Sequence, residues 1–344
     1  MKTQVHLINP EFPEKNAIEQ AAGTIRRGGL VAFPTETVYG LGADCFNAAA
    51  VARIYWAKGR PSDNPLILHI FRKEQILELS ERIPSQWRAL ADMFWPGPLT
   101  MIVEKRKNLE IHGCAGAGTI GVRLPKSPAA QALIAASKTV VCAPSANASG
   151  KPSPTEACHV LQDLDGKIDM ILDGGPVEMG IESTVIDLTR DEPLILRPGF
   201  VTKQMLEAAL GRPVGVCADS KESPKSPGMK YRHYAPEAAV TVVSGALPRV
   251  VDEIRRLAAS CGGKCGILAT VQTQGLYETY GSIVLTSGDR DDPKTIGANL
   301  FGMLRRFDEF GVDAVYAEGL SAAGLGEAIM NRLVKAAGGR IIEV

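Results

Sequence analysis

Two cations stand one residue apart in Lys58-Gly-Arg60-Pro-Ser-Asp-Asn64-Pro, at the end of a stretch with helical periodicity. Cations at a helix C-terminus answer the helix dipole, but the glycine and proline around Arg60 stop the helix and turn the charges off it. Arg123 (Val-Arg-Leu-Pro) and Arg197 (Leu-Arg-Pro-Gly) each close an apolar run just before a proline. Ala143-Pro-Ser145-Ala-Asn147-Ala-Ser149-Gly follows another such run and supplies hydroxyls, an amide and backbone N–H groups. Alone, that segment reads as an ordinary turn. Beside several arginines it becomes a place for phosphate or carboxylate oxygens. The chemistry these residues support is binding of a polyanionic small molecule at strand ends.

Other phosphate-binding, hydrolytic and metal motifs are incomplete in this chain. No Gly-x-x-x-x-Gly-Lys-Ser/Thr phosphate loop occurs. The spacing Gly116-Ala-Gly118-Thr-Ile-Gly121 matches a dinucleotide fingerprint, but a strand must precede that motif and a helix follow it. Here a strand follows instead, so the match is a decoy. Ser145 has Ala143 and Asn147 where a hydrolase nucleophile elbow needs glycines. The glycines from Gly319 to Gly326 open a helix without a lysine and read as a tight turn. Seven cysteines without a Cys-x-x-Cys pair form no zinc site and read as mostly buried thiols in a reducing compartment.

The elements that must position these residues alternate. Helices are expected at 17–27, 48–58, 74–79, 86–94 and 203–210, and strands at 30–33, 66–70, 99–104, 120–124, 140–143, 170–173 and 184–187. The last strands are too close for helical crossovers, which makes a twisted sheet of mixed direction. Residues 212–236 carry four prolines and no periodicity, an extended linker. Strands at 240–243, 266–268, 283–285 and 314–317, with helices at 249–260, 295–309 and 328–337, then make a smaller parallel, Rossmann-like α/β domain. The domains are therefore 1–212, a linker or lid at 213–236, and 237–344. Lysine plus arginine and aspartate plus glutamate number 38 each, 23 of each lying before residue 213. Neither domain is a bulk polyanion binder, and RNA binding is expected to be weak or absent. No leader and no apolar run of membrane length is found, so a cytoplasmic location is expected.

Taken together, Phe33-Pro-Thr-Glu-Thr-Val-Tyr-Gly-Leu-Gly42, Lys58-Gly-Arg60-Pro-Ser-Asp-Asn-Pro-Leu66, Pro144-Ser145-Ala-Asn147 and Glu182-Ser183-Thr-Val-Ile-Asp187 resemble the YrdC family. His233-Tyr-Ala-Pro236 and Gly324-Leu-Gly-Glu-Ala-Ile-Met-Asn-Arg332 resemble its two-domain form, so the likeness runs over nearly the whole chain. The resemblance implies that L-threonine takes up carbon dioxide or bicarbonate and the resulting N-carboxylate attacks the α-phosphate of ATP. Threonylcarbamoyladenylate and pyrophosphate leave, and the former passes to tRNA-modifying proteins. By the same resemblance Lys58 and Arg60 neutralise the triphosphate. Asn64, Thr119, Ser145, Asn147, Ser153 and Arg197 contact the nucleotide, and Tyr234 of the linker closes over it, with Tyr231 the rival. Thr35, Thr37, His69, Arg123 and Ser183 hold threonine. Mg2+ is expected to come with ATP, without a protein-built cage. An RNA-binding module and a carbamoyl-transfer accessory protein on the same fold are the rival readings.

Overall fold

The computed structural model describes residues 2–114, 116–217, 233–277 and 282–344. It divides into two compact units, one of residues 1–149, 154–178 and 182–230, the other of 150–153, 179–181 and 231–344. Most of the expected linker, residues 218–232 with Tyr231 among them, lies outside the described residues.

In the first unit the described strands form an eleven-stranded mixed sheet. Its spatial order is Gln4–Leu7, Met170–Asp173, Val31–Phe33, Gly40–Asp44, Val141–Ala143, Ile67–His69, Thr119–Arg123, Leu99–Glu104, Thr184–Asp187, Leu194–Arg197 and Gly215–Val216. The sheet is of mixed direction, as expected, but Met170–Asp173 and Thr184–Asp187 are not neighbours in it. The antiparallel pairs include Leu99–Glu104 with Thr119–Arg123, and Thr184–Asp187 with Leu194–Arg197, a strand formed by the apolar run that Arg197 closes. Side chains alternate across each strand. Leu68, Met101, Val103, Ile120, Val122 and Ile186 all enter one apolar core. Their neighbours Ile67, His69, Thr100, Ile102, Thr119, Gly121, Arg123 and Val185 therefore share the opposite face.

Several elements differ from the sequence expectation. Gly40–Asp44, where no strand was expected, is a central strand pairing with Val31–Phe33 and with Val141 and Cys142. Its glycines have poor strand propensity, yet a Cβ on Gly42 would meet Phe33 and Val141 at 2.9 Å, so packing selects them. The start of the expected linker is also a strand: Gly215 and Val216 pair parallel with Leu194 and Ile195. Burial of Val214 anchors it, and the absent side chain of Gly215 lets Leu194 approach.

Helix Ala48–Lys58 begins at Asn47, whose side chain accepts from the Ala50 N–H, and ends at Gly59 with φ 59°. Its buried face includes Val51, Ile54 and Lys58, so Lys58 points inward because it falls on that stripe. The glycine does not turn it off the helix, as the spacing had implied. Pro128–Ser137 and Ala157–Leu164 are further helices.

The second unit carries a five-stranded parallel sheet in the order Ile283–Thr286, Cys265–Ala269, Ala314–Glu318, Ala239–Ser244 and Ile341–Glu343. Helices Leu247–Ala259, Pro293–Phe310 and Leu325–Ala336 cross between its strands. This is the expected smaller Rossmann-like architecture, with an added edge strand at the C-terminus that the sequence pattern does not announce.

Candidate active site

The two short motifs meet through Lys58. Its buried ammonium donates to the carbonyls of Ser145 and Asn147, both at 2.5 Å, and approaches Asn147 Oδ1 at 3.5 Å. Ser145 Oγ donates to the same Oδ1 at 2.5 Å, and Ser149 N–H returns a bond to the Lys58 carbonyl. Lysine, serine and asparagine thus form one hydrogen-bonded unit, where a charge-assisted donor shapes the loop after strand Val141–Ala143. Arg60 is buried and braces its own turn, Nε on the Asn64 carbonyl at 3.3 Å and Nη2 on that of Pro65 at 3.2 Å. Tyr55 OH adds a second bond to the Asn64 carbonyl at 3.2 Å. Asn64 Oδ1 is buried and without a hydrogen-bond partner, which leaves an acceptor in need of a donor.

A second group lies along one rung of the sheet. His69 is the register partner of Arg123, Thr100 that of Val185, and Val185 that of Arg197. Ser183 stands just before this row. Its Oγ pairs with Thr100 Oγ1 at 2.8 Å and accepts from Arg197 Nη2 at 3.2 Å, while Arg197 Nε donates to the Ser183 carbonyl at 3.1 Å. Arg123 and Glu36 form a buried ion pair with Nη2 and Oε1 2.7 Å apart. Thr35 Oγ1 closes its own turn, donating to the Val38 carbonyl at 2.7 Å and lying 2.8 Å from Thr37 Oγ1.

His69 is held neutral. Burial, and then the charge of Arg123, bring its pKa down to about 3, outweighing the carbonyls of Ile67 and Val141, which pull the other way. Burial likewise pushes Tyr55 up to about 12, so it stays a hydroxyl that can donate. Next along the same face, Thr119 and Gly121 line a recess with Ile67, Thr100, Ile102 and Val185. A Cβ on Gly121 would come within 3.3 Å of Thr100 Cγ2, so glycine keeps this floor flat between apolar side chains.

Of the residues singled out by sequence, Lys58, Arg60, Asn64, Ser145 and Asn147 gather at one set of loops. Thr119, His69, Arg123, Ser183 and Arg197 share the sheet face or its end, and Thr35 and Thr37 occupy the loop that holds Glu36. Ser153 and Tyr234 belong to the second unit. There Tyr234 is buried at a left-handed φ of 66°, its ring stacked on Phe301 at 5.1 Å with the Arg332 guanidinium 5.8 Å away. Glu36, Thr100 and Gly121 are the members that sequence reasoning did not assign. Glu36 lay within a quoted motif, but its partner is 87 residues away. Among the described residues no group of three or more His, Cys, Asp or Glu side chains is placed to hold a metal, and no helix is long and apolar enough to cross a membrane.

Comparison with known proteins covers both units. The Sua5/YciO/YrdC family model, described as "Telomere recombination", matches residues 23–199. A model described as "Threonylcarbamoyl-AMP synthase, C-terminal domain" matches residues 201–338. The threonylcarbamoyl-AMP synthase of Bacillus subtilis is 47% identical over 329 residues, covering 94% of each chain. That of Pyrococcus abyssi is 47% identical over 337 residues, 96% of this chain and 97% of the relative. The crystal structure of P. abyssi Sua5 complexed with L-threonine superposes with a TM-score of 0.94 at 45% identity, over 99% of this chain and 100% of that one.

Proposed function

This chain belongs to the Sua5/YciO/YrdC family in its two-domain form, and from that premise we propose how its residues carry out the reaction. It is a nucleotidyltransferase that makes threonylcarbamoyl-AMP from threonine and ATP. The one-carbon unit comes from bicarbonate or carbon dioxide. The threonine amine adds to carbon dioxide with loss of a proton, or to bicarbonate with loss of water. A carboxylate oxygen of the resulting N-carboxylate then attacks the α-phosphorus of ATP. One phosphorus–oxygen bond forms, and the bond to the departing pyrophosphate breaks.

In phosphoryl chemistry of this kind alignment and charge neutralisation supply most of the catalysis. That matches a site of placed cations without a dedicated nucleophile. The observation that carries the reading is the fastening of Lys58 to the Ser145–Asn147 loop, together with the row of His69, Arg123 and Arg197 on one rung of the sheet. Lys58 and Arg60 offset the triphosphate charge. Asn64, Thr119, Ser145, Asn147, Ser153, Arg197 and Tyr234 contact the nucleotide, with Asn64 Oδ1 an acceptor awaiting a donor. Thr35, Thr37, Arg123 and Ser183 hold threonine, and His69 contributes as a neutral ring rather than as a charge.

On this reading Mg2+ comes with the triphosphate. Residues 1–212 as the catalytic part, 213–236 as a lid and 237–344 as the second domain belong to the same reading. So do a cytoplasmic location and transfer of the product to tRNA-modifying proteins. The RNA-binding and carbamoyl-transfer readings find no support in relatives that carry the synthase name and match 94% and 96% of this chain.

The test is pyrophosphate release with ATP, threonine and bicarbonate supplied singly and together, with threonylcarbamoyl-AMP identified by mass spectrometry. Release is expected only with all three. Unchanged release without threonine would overturn the assignment.

A further inference from the structure

Glu36 lies in the loop between strands Val31–Phe33 and Gly40–Asp44, among residues that touch substrate on the reading above, and nothing so far gives it a role. Its carboxylate is almost completely buried, with 3% of the side chain exposed. Both oxygens are engaged: Oε1 accepts from Arg123 Nη2 at 2.7 Å, and Oε2 accepts from the backbone N–H of Lys126 at 3.1 Å. On the arginine side, Nε donates to the Gly97 carbonyl at 3.4 Å. Two of the three guanidinium nitrogens are thus held by groups from separate loops, and Nη1 donates to none of the described residues.

A free arginine side chain carries considerable rotamer entropy, much of which must be lost when it grips a ligand. Here that loss has already been met in folding, which is the physical content of preorganisation. We propose that Glu36 is a positioning residue of the threonine subsite, holding Arg123 so that its Nη1 edge faces the substrate carboxylate. This rests on the reading of Arg123 as the partner of threonine.

Glu36 has two opposed effects on that carboxylate. Its own negative charge competes for the guanidinium and weakens binding, while its hold on Nη2 fixes the orientation and strengthens it. The two predict opposite signs for its removal. Orientation wins because the hold is made at short distance inside the protein, where a charge-assisted bond contributes about 1.5–3 kcal/mol. The substrate also meets a different edge of the same guanidinium. The Oε2 bond to Lys126 secures the carboxylate itself, so that Glu36 acts as a fixed support rather than a mobile counter-ion.

The test uses the full-length enzyme with Glu36→Ala, Glu36→Gln, Arg123→Ala and the Glu36→Ala/Arg123→Ala double variant. Threonine KM is measured at saturating ATP and bicarbonate, ATP KM alongside, and threonine binding by calorimetry. Glu36→Ala is expected to raise threonine KM about ten- to a hundredfold, the range of one charge-assisted bond, with ATP KM within about twofold. Glu36→Gln, which keeps an acceptor for Arg123, is expected to fall between it and wild type. Glu36→Ala should add nothing in the Arg123→Ala background, since it acts through that side chain. A threonine KM that falls or stays put in both Glu36 variants overturns the proposal, as does a double variant whose effects multiply. If Arg123→Ala raises threonine KM while Glu36→Ala is silent, only the positioning role fails. If Arg123→Ala itself leaves threonine KM unchanged, the reading of the subsite fails with it. Should Glu36→Ala melt at the assay temperature, Glu36→Gln carries the comparison.

Discussion

Both units place polar and charged side chains at strand ends, yet they use them in opposite ways. In the first, His69, Arg123, Ser183 and Arg197 gather along one rung of the sheet, next to Gly121 on the same face. In the second, the ends of the neighbouring strands Cys265–Ala269 and Ala314–Glu318 are closed by their own side chains. Glu318 is buried and accepts from Thr270 Oγ1 at 2.8 Å, Tyr277 OH at 2.7 Å and Arg290 Nη2 at 2.9 Å. Arg290 also donates to the Gly319 carbonyl at 3.0 Å and the Thr270 hydroxyl at 3.1 Å. Open α/β sheets commonly bind ligands at the carboxyl ends of their strands. Here that position in the second unit is filled by a self-satisfied network, so fold position alone does not make a site. What separates the two is the recess beside the charges: the first unit's row borders one lined by Thr100, Gly121 and Val185, whereas the second unit's network closes on itself.

The largest effect that would sharpen this contrast is on stability. Glu318→Ala leaves the Arg290 guanidinium, only 20% exposed, beside emptied space. Breaking a buried pair from one side typically costs about 3–5 kcal/mol, and the remaining exposure of Arg290 puts the expectation near 3 kcal/mol. Denaturant melts should show that loss. Turnover well below the transition should stay within about twofold, because the network serves packing. A large fall in turnover without loss of stability would break the contrast and make this network functional.

Next in size, Lys58→Ala should lower kcat for pyrophosphate release by about a hundred- to a thousandfold, the scale of losing one preorganised electrostatic contact. The Ser145 and Asn147 carbonyls it holds would also lose their donor. Lys58→Arg should not restore the rate, since a planar fork does not reproduce a point ammonium meeting two carbonyls at 2.5 Å. Recovery in that variant would mean that charge alone suffices.

The same contrast explains what could be read from the sequence. Lys58 with Arg60, and Ser145 with Asn147, were legible because each pair sits within a few residues and its polar loop interrupts an apolar pattern. The strand Gly40–Asp44 was hidden because glycine speaks against a strand locally, and only the proximity of Phe33 and Val141 explains it. Helix Pro128–Ser137 carries a local signal of the legible kind, with proline in its first turn and Ser127 Oγ capping the Ala130 N–H at 3.3 Å. Glu36 and the Thr270–Tyr277–Arg290–Glu318 network were not legible. Their partners come together only through tertiary folding, and no spacing rule pairs Glu36 with a residue 87 positions on.

The smallest effect concerns His69, whose ring is buried among the placed charges and kept neutral. In the unfolded chain this histidine titrates near pH 6.5, whereas in the folded protein its pKa is about 3. Between those values the unfolded state binds a proton that the folded state does not. Stability contributed by the neutral ring is therefore present above about pH 6.5 and is lost as pH falls, by at most about 1.4 kcal/mol per unit. Carboxylates titrate below about pH 5, so the useful window is pH 5 to 6.5, where the cumulative loss is about 2 kcal/mol. Replacing His69 with glutamine removes the titration while keeping a polar side chain. The variant's unfolding free energy should then be flatter than wild type across that window, whatever its absolute value. Parallel curves for the two proteins would mean that His69 takes up its proton in the folded state. Threonine would then meet a second cation beside Arg123, and the row of strand-end charges would be one larger than the structure assigns.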